Sequence, residues 1–164
     1  IEQGRIEVKK DAVEIVSITK AVIDEYRPIL KKKKLYTTHE SLAALPKVAG
    51  DTIRIREVLL NLVSNAVKYT IQGGITIIQR SEDDKIFTQV SDTGMGIPPD
   101  QQRLLFKKFQ QIGYSRSQST SKSTGLGLYV AKHLVEMMGG ELKLESSEPG
   151  KGSTFSFWLP IYHN

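Results

Sequence analysis

DTIRIREVLLNLVSNAVKYT, residues 51–70, is the stretch around which the rest of the chain is arranged. Advanced at roughly 100° per residue, Ile55, Val58, Leu59, Leu62, Ala66 and Tyr69 form one apolar face. Leu60, Val63 and Val67 flank it, so the spacing predicts a helix covered by protein on most sides. Asn61, Asn65 and Lys68 share a stripe beside the apolar face, within an arc of about 60° at the same pitch. Asparagine is a poor helix former because its amide competes for backbone partners, so two of them one turn apart need a reason. Two readings stay open at this point. The amides are satisfied core groups, or they form a polar strip in which two amide oxygens and an ammonium face a metal-phosphate group.

Composition limits the classes. At 164 residues with 39% hydrophobic and 25% charged side chains, the chain is long enough for one domain with a real core. The absence of cysteine excludes a disulfide framework and a thiolate metal site. No apolar run approaches the ~18 residues of a membrane span, and no signal peptide is visible. Because the chain begins at Ile1 rather than methionine, it is expected to be excised from something longer. The net charge of +5 is carried largely by Lys31, Lys32, Lys33 and Lys34 and by residues 107–122. Aromatic residues are not interleaved with it, so no nucleic-acid partner is expected.

In chain order, residues 5–9 read as a short strand. Asp11 with Glu14 resembles a capping box opening a helix whose apolar period runs through Val13, Val16, Ile23, Tyr26 and Leu30 to the lysine run. Residues 35–40 and 47–49 read as strands. The 51–70 helix stops before Gly73 and Gly74. Residues 75–80 and 86–91 make a hairpin turning at Glu82, Asp83 and Asp84. A short helix is expected over 100–106, a helix over 128–138 closed by Gly139 and Gly140, and a last hairpin over 141–146 and 153–159.

Three further stretches carry chemistry. In SDTGMGIPPD, residues 91–100, Asp92 ends a strand and Gly94 and Gly96 permit a sharp turn. A carboxylate only accepts hydrogen bonds, so it selects an amino group such as the exocyclic amine of adenine; the alternative is a plain turn. Residues 110–124 form a long polar stretch rich in serine and threonine, the composition of a lid or a disordered loop. It leads to Gly125, Leu126 and Gly127 at a helix N-terminus, where backbone N–H groups favour an anion. No Gly-Lys-[Ser/Thr] follows, which excludes a P-loop, and no strand precedes, which argues against a dinucleotide site.

Asn65 in its helix, Asp92-x-Gly94-x-Gly96, Phe106-x-x-Phe109, Gly125-x-Gly127 and the closing GSTFSFWLP occur in one order along nearly the whole chain. Together they resemble the catalytic ATP-binding domain of a sensor histidine kinase, of the GHKL superfamily. The resemblance implies a two-layer α/β sandwich over residues 1–164: a mixed sheet with helices on one face and a mobile ATP lid, the histidine kinase-like ATPase fold. It implies that Asn65 supplies an oxygen to Mg²⁺, that Asn61 lines the same site, and that Lys68 contacts phosphate. Tyr69 lies near the sugar or phosphate side. Asp92 bonds the adenine amine, Gly94 and Gly96 let the base approach, and Thr154 supports Asp92 through water. Gly125 and Gly127 present amides to the phosphates, and Ile97, Lys122, Leu126 and Leu128 complete the nucleotide site.

Lys122-Ser123-Thr124 departs from the glycine-rich entry usual in the family, which stiffens the lid hinge. No phosphoacceptor histidine is expected here: His39 lies in a strand-loop segment, and His133 and His163 read as structural or solvated. Hydrolytic relatives carry a glutamate at the place of Asn61, and Glu57 reads as a structural carboxylate. The resemblance therefore implies transfer from Mg·ATP to a histidine on a separate dimerisation domain, then to a response-regulator receiver domain. The alternative is a degenerate nucleotide-binding scaffold, and a hydrolytic ATPase stands third. The fragment itself is expected to be monomeric and cytoplasmic, with membrane anchoring of the parent left open.

Overall fold

A computed structural model describes residues 7–42, 44–107 and 127–164. Helix α2 (Thr52–Tyr69) is the buried spine: Ile55, Val58, Leu59, Leu62, Val63, Ala66 and Val67 are all buried. Its N-terminus is fixed by Asp51, whose carboxylate accepts from the N–H groups of Ile53 (3.0 Å) and Arg54 (3.3 Å). The same carboxylate accepts from Lys9 N–H at 3.0 Å, tying the incoming chain to the helix start. Helix α1 (Ile15–Lys33) packs beside α2, and α4 (Gly127–Met137) lies on its other flank.

These helices cover one face of a five-stranded sheet in the order β2-β4-β5-β7-β6. Its strands are β2 (Tyr36–Ser41), β4 (Gly74–Glu82), β5 (Lys85–Asp92), β6 (Glu141–Glu148) and β7 (Gly152–Pro160). β2 runs parallel to β4, and the remaining pairs are antiparallel. Period-two alternation puts Ile75, Ile77, Ile86, Val90, Phe155, Phe157 and Leu159 on the helix side, all buried. The opposite face carries half-exposed Ile78, Phe87 and Trp158, with Arg80 over the Phe87 ring and Lys85 over the Trp158 ring. A two-stranded annex, β1 (Asp11–Val13) with β3 (Val48–Gly50), completes the fold.

The sequence reading needs three corrections. Residues 7–9 form no strand; the strand is β1, set by burial of Val13 opposite Val48. Asp11 consequently pairs with Gly50 and caps nothing, and α1 starts only after Glu14, whose carboxylate accepts from Ser17 Oγ at 2.5 Å. The short helix α3 covers Pro99–Gln102 and then gives way to turns, because Leu104, Leu105 and Lys107 donate to carbonyls three residues back. The 82–85 turn is as expected from its composition. Asp83 (φ 50°) and Asp84 (φ 64°) both adopt the left-handed conformation of a two-residue hairpin turn.

Burial alone would raise the Asp51 pKa, but hydrogen bonds from Lys9, Arg54 and Ile53 and the Arg54 charge outweigh it and hold it below the ordinary aspartate value. A depressed folded pKa gives stability that is present at neutral pH and lost as the pH falls through that value. Asp51→Ala should therefore lower unfolding free energy by about 1–2 kcal/mol at neutral pH, with the difference shrinking on acidification, as read from urea melts at several pH values.

Candidate functional site

The last carbonyl of α2 organises the site. Tyr69 O accepts from Met95 N at 3.1 Å, bringing the bend after β5 against the end of the helix. Gly94 makes the approach feasible: a Cβ there would lie 2.4 Å from Tyr69 O. Gly96 has φ +71°, and a Cβ on it would fall 1.9 Å from Glu148 O. Backbone carbonyls lie where a Cβ would stand at both positions, so the packing of the bend itself calls for glycine there. The bend is held from the far side by Gly150 N to Met95 O (2.7 Å) and by Ile97 N to Ser147 Oγ (2.7 Å).

A cleft lies between this bend, α2 and the start of α4, with about 440 Å³ of space unfilled by protein, its open mouth included. Asn65, Tyr69, Asp92, Gly96, Ile97 and Leu128, all expected from sequence, line it. Neither Asn61 nor Asn65 has a side-chain hydrogen-bond partner among the described residues. No buried side-chain polar atom lacks a partner there, so both carboxamides reach solvent rather than sitting as satisfied core groups. Asn61 faces the α4 start: a Cβ on Gly127 would come within 3.3 Å of Asn61 Oδ1. Lys68 is half-buried with its ammonium 5.2 Å from the Tyr69 ring centroid, outside the cleft lining, and burial lowers its pKa.

Asp92 Oδ1 accepts from Gly94 N (2.9 Å) and Ser153 N (3.2 Å), which fixes the carboxylate plane. Burial raises its pKa above the ordinary aspartate value, against the opposing pull of the Gly94 and Ser153 N–H groups. Thr154 does not support it. In the β5–β7 register Asp92 is opposite Ser153, whereas Thr154 is opposite Ser91 and shares a 2.9 Å hydroxyl–hydroxyl bond with it. Alternation puts that pair on the other face of the sheet. Ser153 is the residue beside Asp92, and its hydroxyl is within 2.8 Å of Ser147 Oγ.

Leu62, Ala66, Val90, Ser153 and Phe155 also line the cleft and were not anticipated from sequence. The signal for Ser153 was present: in GSTFSFWLP it shares its period with the inward Phe155, Phe157 and Leu159. Phe106 packs edge-on to Phe155, with centroids 6.3 Å apart, giving it a core role. Phe109, Lys122, Ser123, Gly125, Leu126 and the expected lid at 110–124 lie outside the described residues. His39 is in β2 with Nε2 2.7 Å from Gln79 Oε1, His133 stacks on Tyr129, and His163 meets Asp84 at 2.8 Å. Glu57 is paired with Arg54. Among the described residues no helix is long and apolar enough to cross a membrane, and no group of three or more His, Cys, Asp or Glu side chains could hold a metal.

Comparison with known proteins agrees with this fold. The chain is 48% identical over 112 residues to the circadian input-output histidine kinase CikA of Synechococcus elongatus, covering 68% of this chain and 15% of that one. It is 35% identical over 168 residues to the autoinducer 2 sensor kinase/phosphatase LuxQ of Vibrio vulnificus, covering 98% of this chain and 19% of that one. The chain thus spans less than a fifth of either relative. The crystal structure of full-length ShkA in complex with AMPPNP superposes with a TM-score of 0.84 at 29% identity, covering 98% of this chain and 33% of that one. Residues 50–163 match the family model described as histidine kinase-, DNA gyrase B- and HSP90-like ATPase. The chain belongs to that family.

Proposed function

We propose that residues 1–164 form a histidine kinase catalytic domain that binds Mg·ATP in the cleft and donates its γ-phosphoryl to a histidine on a separate dimerisation domain. The observation that carries this reading is the meeting of Asn65, Asp92 and Leu128, from three distant segments, on one cleft. The crystal structure of ShkA in complex with AMPPNP supports the choice of ligand. With Oδ1 of Asp92 engaged by two N–H groups, its other oxygen is left to accept from the adenine amine. Gly127, at the α4 N-terminus beside Asn61, is suited to present an amide to phosphate.

Magnesium fits the donor set. It takes few protein oxygens and keeps several waters, and the solvent-reaching, unpartnered carboxamide of Asn65 offers one oxygen. When bound, the ion supplies charge neutralisation on the β- and γ-phosphates. The protein's own part is positioning: α2 directs Asn65, with Lys68 as the nearby cation, and the bend fixes the purine end. An acceptor imidazole nitrogen attacks phosphorus, the bond to the β–γ bridging oxygen breaks, and ADP leaves. An amide at Asn61 has no basicity to activate water, and Glu57 is committed to Arg54, so hydrolysis is disfavoured over transfer. A receiver-domain aspartate of a response regulator is the onward recipient.

Asp92→Asn keeps an oxygen for Gly94 and Ser153 but turns a donor toward the adenine amine. ATP affinity by calorimetry should fall roughly 10- to 100-fold, the loss of one charge-assisted hydrogen bond. Because the folded pKa is raised, the ionised carboxylate carries a burial penalty at neutral pH. The stabilising contribution exists below the unfolded pKa and is lost as the pH rises through the folded one. The variant should therefore melt at the same or a higher temperature at pH 7, and an unchanged ATP affinity would remove Asp92 from the purine site.

Asn65→Ala should leave the melting temperature near that of the parent while transfer to an added dimerisation domain falls by at least about 100-fold, as for loss of an electrostatic transition-state contact. Radiolabelled phosphohistidine, followed across a magnesium titration, measures this. Transfer that persists with its magnesium dependence intact would exclude the assignment.

A further inference from the structure

The two edges of the main sheet are finished differently. β6 carries exposed Glu141, Lys143 and Glu145 and a register shift between Leu144 and Ser146, the usual protection of a free edge. β2 has an unbroken register, from Tyr36 opposite Gly74 to Ser41 opposite Gln79. Tyr36 N donates to Gly73 O at 3.0 Å and Leu42 N to Gln79 O at 3.0 Å, so even-numbered residues turn their main-chain groups toward β4. Thr37 and His39 must then turn theirs outward. Neither main-chain N–H has a partner among the described residues.

Beside this edge runs a groove with about 600 Å³ of unfilled space, open mouth included, lined by Thr37, His39 and a stripe of α1: Lys20, Ile23, Asp24 and Arg27. Ile23 is buried, and Arg27 Nε holds the Asp24 carboxylate at 2.7 Å, so Asp24 is neutralised. Lys20 has no ion-pair partner among the described residues, so the wall carries one net positive charge, that of Lys20. On the other side of the sheet, exposed Tyr36 and Leu42 (52% and 55%) flank the strand. The edge is rigidly set. His39 Nε2 meets Gln79 Oε1, while Gln79 Nε2 donates to Thr19 Oγ1 (2.9 Å) and Thr88 Oγ1 (3.1 Å). All the groove residues precede position 50, where the match to the ATPase family begins.

We propose that the outer edge of β2 accepts, as a sixth strand, an extended segment of a partner protein that alternates acidic and apolar residues. Main-chain pairing to Thr37 and His39 supplies the attachment, and alternation supplies the selectivity. Every second side chain faces the α1 wall and is acidic where it meets Lys20. The intervening side chains lie on the face of Tyr36, Thr38, Glu40 and Leu42, where an acid would meet Glu40, and are apolar. The edge lies apart from the ATP cleft, so this docking stands or falls independently of the nucleotide assignment.

The test uses a capped hexapeptide alternating glutamate and valine, with amide exchange followed by NMR. At saturation the Thr37 and His39 amides should exchange at least roughly tenfold more slowly. A lysine–valine peptide should have no effect, and ATP affinity should be unchanged. Thr37→Pro removes an outward N–H without breaking the β4 ladder and should abolish the protection. Lys20→Glu, on an exposed helix face, should weaken peptide binding should the proline variant fail to fold. Unprotected amides at saturating solubility, equal binding of the lysine peptide, or protection that grows with protein concentration alone would each overturn the proposal, the last by making the edge a contact between copies.

Discussion

The bond from Met95 N to Tyr69 O does more for this molecule than its 3.1 Å length suggests. It joins the end of α2, four residues after Asn65, to the loop that begins at Asp92. A helix terminus leaves its last carbonyls without intrahelical donors, so it needs partners. Here one is answered by the bend, and a neighbouring one, Val67 O, by the Lys33 ammonium from the end of α1. The constraint that stabilises the helix end also brings the carboxamide stripe beside the carboxylate. Gly94 is required because any side chain would keep Met95 from reaching Tyr69.

Behind the bend, the β6–β7 turn acts as a brace. Ser147 Oγ accepts from Ile97 N and lies within 2.8 Å of Ser153 Oγ, while Gly150 N reaches Met95 O. Gly152, at φ +109°, allows the strand to pass Asp92 O where a Cβ would sit 1.9 Å away. The Asp92 side of the cleft is therefore preorganised by backbone geometry. Another wall is formed by side chains of α2 and the first turn of α4. Preorganisation of this kind lets binding free energy go into recognition rather than into ordering the loop.

How much of this was legible in the sequence follows from how local each constraint is. α2 was legible because its burial pattern is local to one continuous stretch of sequence. The strands of the main sheet were legible from alternation. β1 was not, because three residues carry too little periodicity, and its position is decided by pairing with β3, far along the chain. Asn65 and Asp92 were visible as residue types out of place in their surroundings. Ser153 was displaced by one residue to Thr154, and in a strand a one-residue error moves a side chain to the opposite face. Leu62, Val90 and Phe155 could not be distinguished from ordinary core, since a cleft wall and a core share the same apolar composition.

That last point bears on how the fold combines stability with ligand access. Leu62, Ala66, Val90 and Phe155 are each buried, yet each also borders the cleft. The cleft is thus continuous with the core between α2 and the sheet. Its apolar walls suit a flat, weakly polar ring, and its polar lining comes from Asp92, Ser153, Asn65 and Tyr69. On the proposed reading an amine-bearing ring lies toward Asp92 and an anionic, metal-carrying group toward Asn65, so a free phosphate or a lone base would meet only part of the site. Selectivity for a whole nucleotide is set, on that same reading, by the single turn of α2 between Asn65 and Tyr69, whose carbonyl holds the bend after Asp92.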